Sequence, residues 1–402
     1  MNPLVQVIGF GPAALGLPLS ADRTGDLAAL ADAGVAFLER APADTARAGR
    51  MPYLIDSNSP AADFLAGIDP GGRFGAVLRR RPARALAERG RSPVPLRLVA
   101  GLLGDIADAV AAWLAGTGGE LTYGRDVREI RHGPGGTFTS VGADGRELVS
   151  RAVVFATGGG EQDPRPAGPP PGAVPARVMT SQEVLSGSIQ PAVAALRAGL
   201  PVVIVGGSHS GFSVADLLLR SCGTKLTPGQ ITILYRRLDL CFDSMSELDA
   251  SGWRPGYAPA VCPDTGMVNR HRGLRGRSRD LCLAVLKGRE RRVRLCRAEA
   301  EAYGRGAGVV VTATGYRATA PPLIGPDGRR VPLRMSAGRY ELDPRGRLLG
   351  PDGAVPGLFG IGLGYGRRDA HGDYDVGLNF FHGRHAEEIV DGLLRPEPAR
   401  PR

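Results

Sequence analysis

An α/β protein built from two parallel-sheet domains is what this sequence predicts, and three observations carry the prediction. At the N-terminus a strand, a glycine turn and a helix follow one another, with residues 4–8 (LVQVI) running into Gly9-Phe10-Gly11-Pro12-Ala13-Ala14. The same grammar restarts at mid-chain, where residues 201–205 (PVVIV) run into Gly206-Gly207-Ser208-His209-Ser210-Gly211. Each unit later delivers an apolar strand into a similar turn, Ala156-Thr157-Gly158 in the first and Ala313-Thr314-Gly315-Tyr316 in the second. A repeated strand, glycine turn and helix marks Rossmann-like dinucleotide-binding domains, so two are expected, each with a parallel sheet and an inserted β-meander.

The elements follow in order. After the first turn and its helix, the apolar run 35–38 ends at Glu39, which completes a βαβ unit. Residues 98–116 read as an amphipathic helix, because Leu98, Leu102, Ile106, Ala109 and Trp113 recur three or four apart; Asp105 and Asp108 break the stretch as a membrane span. Strands near 121–130, 137–141 and 146–150 are joined by the sharp-turn sequences HGPGG and ADGR and form the first meander. Six prolines between Pro164 and Pro175 cannot lie in a helix or a sheet interior, so a linker is placed at 164–175. In the second unit come the turn at 206–211, a helix at 212–220, the strand 231–235 and a second meander at roughly 292–312. A hairpin over 340–349, an apolar strand at 357–362 and a closing helix at 380–394 end the chain. The expected division is residues 1–165 for the first part of an FAD-binding domain, 166–312 for an NADPH-binding domain, and 313–395 for the return to the first.

Composition removes other classes. The chain has 402 residues, enough for two cores, with 43% hydrophobic and 22% charged residues, an ordinary globular balance. Its net charge is +10, with 48 arginines and two lysines, and the arginines are spread along the chain instead of forming the compact basic block of a nucleic-acid binder. The start of the chain lacks a secretory pattern, so a cytoplasmic protein with no membrane and no nucleic-acid partner is expected. Five cysteines with no CxxC pair exclude a disulfide framework and a dithiol centre. His371, His382 and His385 lack the cysteines or carboxylates that would complete a metal site, and none is expected.

The turns dictate chemistry. Gly9 permits the tight turn, Gly11 admits a pyrophosphate to the backbone, and the helix behind them presents unpaired N–H groups to the anion. Glu39, at the tip of the next strand, is placed to accept hydrogen bonds from a ribose diol. The second unit has Ser208 where the first has Gly11, and its strand ends in Tyr235-Arg236-Arg237 with no acid, which suits the 2′-phosphate of NADPH. His209 stands where its imidazole can approach that cofactor's phosphates. Two such sites imply a flavin reduced by NADPH.

On these motifs the sequence resembles the two-dinucleotide-binding flavoproteins and, within them, the N-hydroxylating flavin monooxygenases such as the lysine and ornithine N-hydroxylases. GFGPAALG (9–16) resembles that family's FAD turn, GGSHSGFS (206–213) its NADPH turn, ATGY (313–316) its closing motif, and HGDYDVGLNFFHGRHAEEIV (371–390) its C-terminal flavin segment. The resemblance implies FAD and NADPH as cofactors and an amine or amino acid and molecular oxygen as substrates. It further implies a flavin hydroperoxide attacked by a neutral amine. Cofactor contacts are expected from Gly9, Gly11, Pro12, Ala13, Glu39, Arg40, Val127, Thr157 and Gly158. The others fall at Gly206, Ser208, His209, Ser210, Arg236, Arg237, Thr314, Gly315, Tyr316, Gly377 and Leu378. Asn58, Asn269 and Asn379 are the candidates to touch the reacting groups, Asn269 because residues 264–269 (DTGMVN) faintly match a stretch whose Asn meets nicotinamide and substrate in relatives.

Departures from the family pattern are visible. Gly308 replaces its usual Asp and Thr312 its Leu or Phe before ATGY. Oxidation of sulfur or of a carbon–nitrogen bond, and a non-catalytic NADP-binding regulator, therefore stay open as alternatives, as does a homo-oligomer.

Overall fold

The computed structural model describes residues 3–48, 51–161, 177–263, 265–270, 272–297, 306–368, 374–375 and 383–395. The expected linker at 164–175 and the candidates Gly377, Leu378 and Asn379 lie outside them, as do His371 and His382. The chain divides into two compact units. The first comprises Met1–Pro52, Ser59–Gly160 and Tyr316–Arg402, and the second Tyr53–Asn58 and Glu161–Gly315. The short segment Tyr53–Asn58, expected with the first domain, packs in the second.

In the first unit a six-stranded sheet runs in the order Arg347–Gly350, Gly353–Gly360, Ala152–Phe155, Val5–Ile8, Val35–Leu38, Glu120–Thr122. Val5–Ile8 is paired in parallel on both sides, with Val5 opposite Val35 and Ala152. Its four residues are all buried, Gln6 among them with its side-chain amide donating to the Leu148 carbonyl at 2.7 Å. The antiparallel strands Val127–His132, Phe138–Gly142 and Glu147–Ser150 form the first meander; the single strand expected at 121–130 is instead two, with Glu120–Thr122 parallel to Val35–Leu38 in the six-stranded sheet and Val127–His132 in the meander. They close over Ile8, Leu38, Phe155 and Leu358.

The helix Leu96–Thr117 is, among the described residues, the one long and apolar enough to cross a membrane by length and composition. Its buried stripe is Val99, Leu102, Leu103, Ile106, Val110 and Trp113, rotated from the face expected through Leu98 and Ala109. Asp105 pairs with Arg80 at 2.9 Å, and Trp113 packs edge-on against Phe74.

The second unit is a five-stranded parallel sheet in the order Val293–Arg297, Ile231–Tyr235, Val202–Val205, Val309–Thr312, Arg177–Thr180. The meander expected at 292–312 is corrected here. Val293–Arg297 lies parallel to Ile231–Tyr235, and Val309–Thr312 lies parallel to Val202–Val205. Val293–Arg297 is a short, part-exposed edge strand, and its mixed residues VRLCR do not separate a parallel edge from a meander strand.

Candidate functional site

In the first unit the strand Val5–Ile8 must turn sharply into the helix Pro12–Thr24. Gly9 does so at φ +104, and a Cβ there would lie 2.6 Å from the Ala156 carbonyl oxygen, so glycine is required. At Gly11 a Cβ would meet nothing within 4 Å, leaving open space over the helix start. No side chain caps that helix and its first turn holds no acid, so its amides face the space uncompensated. Pro12 takes the first helical position, where its missing N–H costs nothing. Ala13 is buried; a Cβ on Gly362 would lie 2.9 Å from its own.

Glu39 braces this turn. Its carboxylate accepts from the Phe10 amide and from the Ala41 amide, each at 2.8 Å, so one lone pair of each oxygen is already used. Arg40 beside it is exposed, whereas Val127 is a core residue that can meet a ligand only through its backbone. Thr157 does not project freely: its hydroxyl bonds the Thr319 carbonyl and lies 2.6 Å from the hydroxyl of Tyr365. Tyr365 is fully buried and stacked on Tyr340, and burial raises its pKa, so it acts as a neutral hydrogen-bonding strut. The sequence analysis missed it, although the glycines around it (GIGLGYG, 360–366) signal close packing. A Cβ on Gly364 would lie 2.6 Å from the Gly158 carbonyl oxygen, and Gly158 itself turns at φ +68.

The second unit repeats the geometry. Gly206 has φ +134, and a Cβ there would collide with the Ala313 carbonyl. One on Gly207 would lie 2.5 Å from Tyr235 Cβ. Ser208 precedes the helix His209–Cys222, is exposed and caps none of its amides, so both the hydroxyl and the helix start remain available beside Ser210. His209 is held at both nitrogens. Nε2–H donates to the Gly273 carbonyl at 3.2 Å, and Nδ1 accepts from Asn58 Nδ2 at 3.2 Å. Burial, and secondarily the charge of Arg275, lower its pKa to about 4 against the opposing pull of the Gly273 bond.

Two candidates, Arg237 and Asn269, gain new roles. Arg236 and Arg237 are both exposed, but Arg237 is bound to Asp239 at 2.6 Å and lies over the Tyr257 ring. Of the pair, Arg236 presents its charge. Asn269, expected to face the reacting groups, is completely buried at φ +51. Its side chain donates to the Leu240 carbonyl at 3.1 Å and accepts from the Ala260 amide at 3.1 Å, which makes it a staple of the loop 257–273. Thr314 is exposed, Gly315 turns at φ +96, and Tyr316 opens the strand Tyr316–Ala318 of the first unit. Gly308 replaces the family's Asp for a packing reason, since a Cβ there would lie 2.8 Å from Leu200 Cβ.

No family model matches the chain. Among characterised proteins it is similar to a CMP-5′-(3-aminopropyl)phosphonate hydroxylase from Streptomyces rubellomurinus, 31% identical over 391 residues that cover 90% of this chain and 88% of that protein. Among solved structures, L-lysine 6-monooxygenase from Pseudomonas syringae superposes with a TM-score of 0.58 at 16% identity, over 98% of this chain and 99% of that one. The FAD-bound cadaverine monooxygenase of desferrioxamine biosynthesis from Erwinia amylovora gives 0.59 at 15% identity, over 98% and 92%.

Proposed function

Because this chain belongs to the N-hydroxylating flavin-dependent monooxygenase family, we propose that it uses FAD and NADPH to hydroxylate the nitrogen of a small amine or amino acid. The observation that carries this reading is the pair of glycine turns, each opening an uncapped helix at the end of a parallel strand. Open space at Gly11 and the exposed Ser208 fit two diphosphates.

In the first turn, Gly9, Gly11, Pro12 and Ala13 would hold the FAD diphosphate, and the remaining lone pairs of Glu39 the ribose diol. Arg40, the backbone of Val127, and Thr157 and Gly158 would border the rest of the cofactor. In the second, Gly206, Ser208, Ser210 and the backbone of His209 would hold the NADPH diphosphate, since the His209 imidazole, expected to approach the phosphates, is engaged by Asn58 and Gly273 instead; Arg236 would hold its 2′-phosphate, and Thr314, Gly315 and Tyr316 the nicotinamide end. Gly377, Leu378 and Asn379 are assigned to the flavin on the resemblance alone. Asn58 positions His209 and through it the second turn.

Bound FAD supplies the two-electron chemistry of oxygen that side chains lack. The balance is one amine, one oxygen, one NADPH and one proton giving one hydroxylamine, one water and one NADP⁺. The chain's part is to bind both nucleotides, exclude water and receive the amine in its neutral form, which a desolvated pocket favours. The test is NADPH oxidation by the purified, FAD-loaded protein with a panel of amines and mass detection of hydroxylamines. Hydrogen peroxide as the sole product across the panel would refute the proposal.

A further inference from the structure

In the second unit, the acid missing from the tip of Ile231–Tyr235 is supplied by Asp239, two residues beyond Arg237. The segment that carries it lies directly on the second glycine turn. A Cβ on Gly207 would lie 3.2 Å from Leu238 Cδ2 and 3.5 Å from the Arg237 carbonyl oxygen. Arg237 Nε and Nη2 both donate to Asp239 Oδ2, at 2.7 and 2.6 Å. The other oxygen, Oδ1, accepts from the Tyr257 hydroxyl. Burial, and then the bond to Asp239, raise the Tyr257 pKa, so the hydroxyl keeps its proton and stays a donor. Beneath the side chain, the Leu274 amide donates to the Asp239 carbonyl at 2.8 Å and fixes the backbone.

The two partners are held unequally. The Asp239 side chain is 10% exposed and fastened through backbone and carboxylate, whereas that of Arg237 is 54% exposed and rests on the Tyr257 ring, 5.3 Å from Cζ to centroid. The Nε–Nη2 edge of a guanidinium is the one that grips two oxygens of a phosphate, and here it is turned to a carboxylate. A 2′-phosphate at this strand tip must compete with Asp239 for Arg237. The 2′-hydroxyl of NADH makes no such demand.

We propose that Asp239, steadied by Tyr257, sets the coenzyme preference by holding Arg237 off the 2′-phosphate, so that NADPH is chosen over NADH through Arg236 alone. This deepens the NADPH reading above and rests on it. Asp239 acts through Arg237 and is a positioning residue. Discrimination is a difference of affinities, and a carboxylate that occupies a competing arginine narrows the difference without touching the coenzyme.

The probes are adenosine 2′,5′-bisphosphate and AMP, which differ only in the 2′-phosphate, titrated by calorimetry into the FAD-loaded protein. The wild type should bind the bisphosphate more tightly. Asp239→Asn keeps the shape and an acceptor for Tyr257 but loses the charge; it should tighten the bisphosphate about 5- to 20-fold and leave AMP within about 2-fold, which also controls for folding. Asp239→Ala should act in the same direction. The gain should vanish when Arg237→Gln is added to Asp239→Asn. Asp239→Asn added to Arg236→Gln should restore the discrimination that Arg236→Gln loses, because Arg237 takes over the phosphate. In turnover, the KM for NADPH should fall with kcat unchanged. Unchanged or weaker bisphosphate binding in the Asp239 variants, equal tightening of both ligands, or a gain that survives the loss of Arg237 overturns the proposal. A wild type that binds the two ligands equally overturns the NADPH reading, and this proposal with it.

Discussion

His209 is uncharged at neutral pH, with a hydrogen on one ring nitrogen only, and its pair of hydrogen bonds depends on that. With the hydrogen on Nε2, the ring donates to Gly273 and accepts from Asn58; a proton on Nδ1 would break the second bond. Its pKa is about 4 when folded, mainly through burial, against about 6.5 for an unperturbed histidine. As pH falls from about 6.5 towards 4, the unfolded chain takes up a proton that the folded chain refuses, so stability declines through that window. The melting temperature should therefore fall less steeply between pH 7 and 4.5 in His209→Gln than in the wild type; equal slopes would remove His209 from the acid response. The two arginines at the strand tip give a second contrast. Arg237 is neutralised by Asp239, so Arg237→Gln should change the NADPH to NADH ratio of kcat/KM by less than about 3-fold, and Arg236→Gln by about 10-fold or more. Both arginines were legible in the sequence. Which one presents its charge was not, because Asp239 and Tyr257 make that choice through side-chain geometry.

Loop 257–273 teaches the same lesson one level up. The match of residues 264–269 to a substrate-contacting stretch kept the spacing of the residues but not the direction of Asn269, which turns inward at φ +51 and ties Ala260 to Leu240. Asn269→Ala should cost about 2–3 kcal/mol in urea unfolding, because it leaves the part-buried Ala260 amide and the buried Leu240 carbonyl without this partner and puts alanine in the left-handed region, which asparagine tolerates better. The effect on turnover should follow the folded fraction. A variant of wild-type stability with lost turnover would restore Asn269 to the chemistry. The edge strand Val293–Arg297 differs from expectation for a related reason: a short, part-exposed strand of mixed residues fits a parallel edge and a meander equally, and only pairing separates them. Central strands did not suffer this. Val5–Ile8 and Ala152–Phe155 are buried on both faces, and apart from Gln6, whose side chain donates to the Leu148 carbonyl, they are apolar throughout and have one reading.

At the scale of the whole chain, the repeated strand, glycine turn and helix made both units legible, because each turn needs glycine for backbone reasons that no side chain can supply. What stayed hidden was the return of Tyr53–Asn58 to the second unit, where the Leu54 amide donates to the Leu185 carbonyl at 2.8 Å and Ile55 packs against the core. Such a crossing is decided by tertiary contacts and leaves no local pattern. The arginine excess also acquires a whole-molecule meaning. Many arginines are balanced in place, as Arg277 is by Asp216 with two bonds of 3.1 Å, yet a net +10 remains. A diffuse positive field accelerates the encounter of anions and slows that of cations, and salt weakens both effects as the screening length shrinks from about 20 to about 7 Å between 20 and 200 mM. The kcat/KM for NADPH should accordingly fall about 3- to 10-fold over that range, while that for n-butylamine, a cation in solution at neutral pH, should hold or rise. A parallel fall for both would assign the salt effect to a change in the protein itself. A fall confined to NADPH would make the net positive charge part of how this enzyme gathers its anionic ligands.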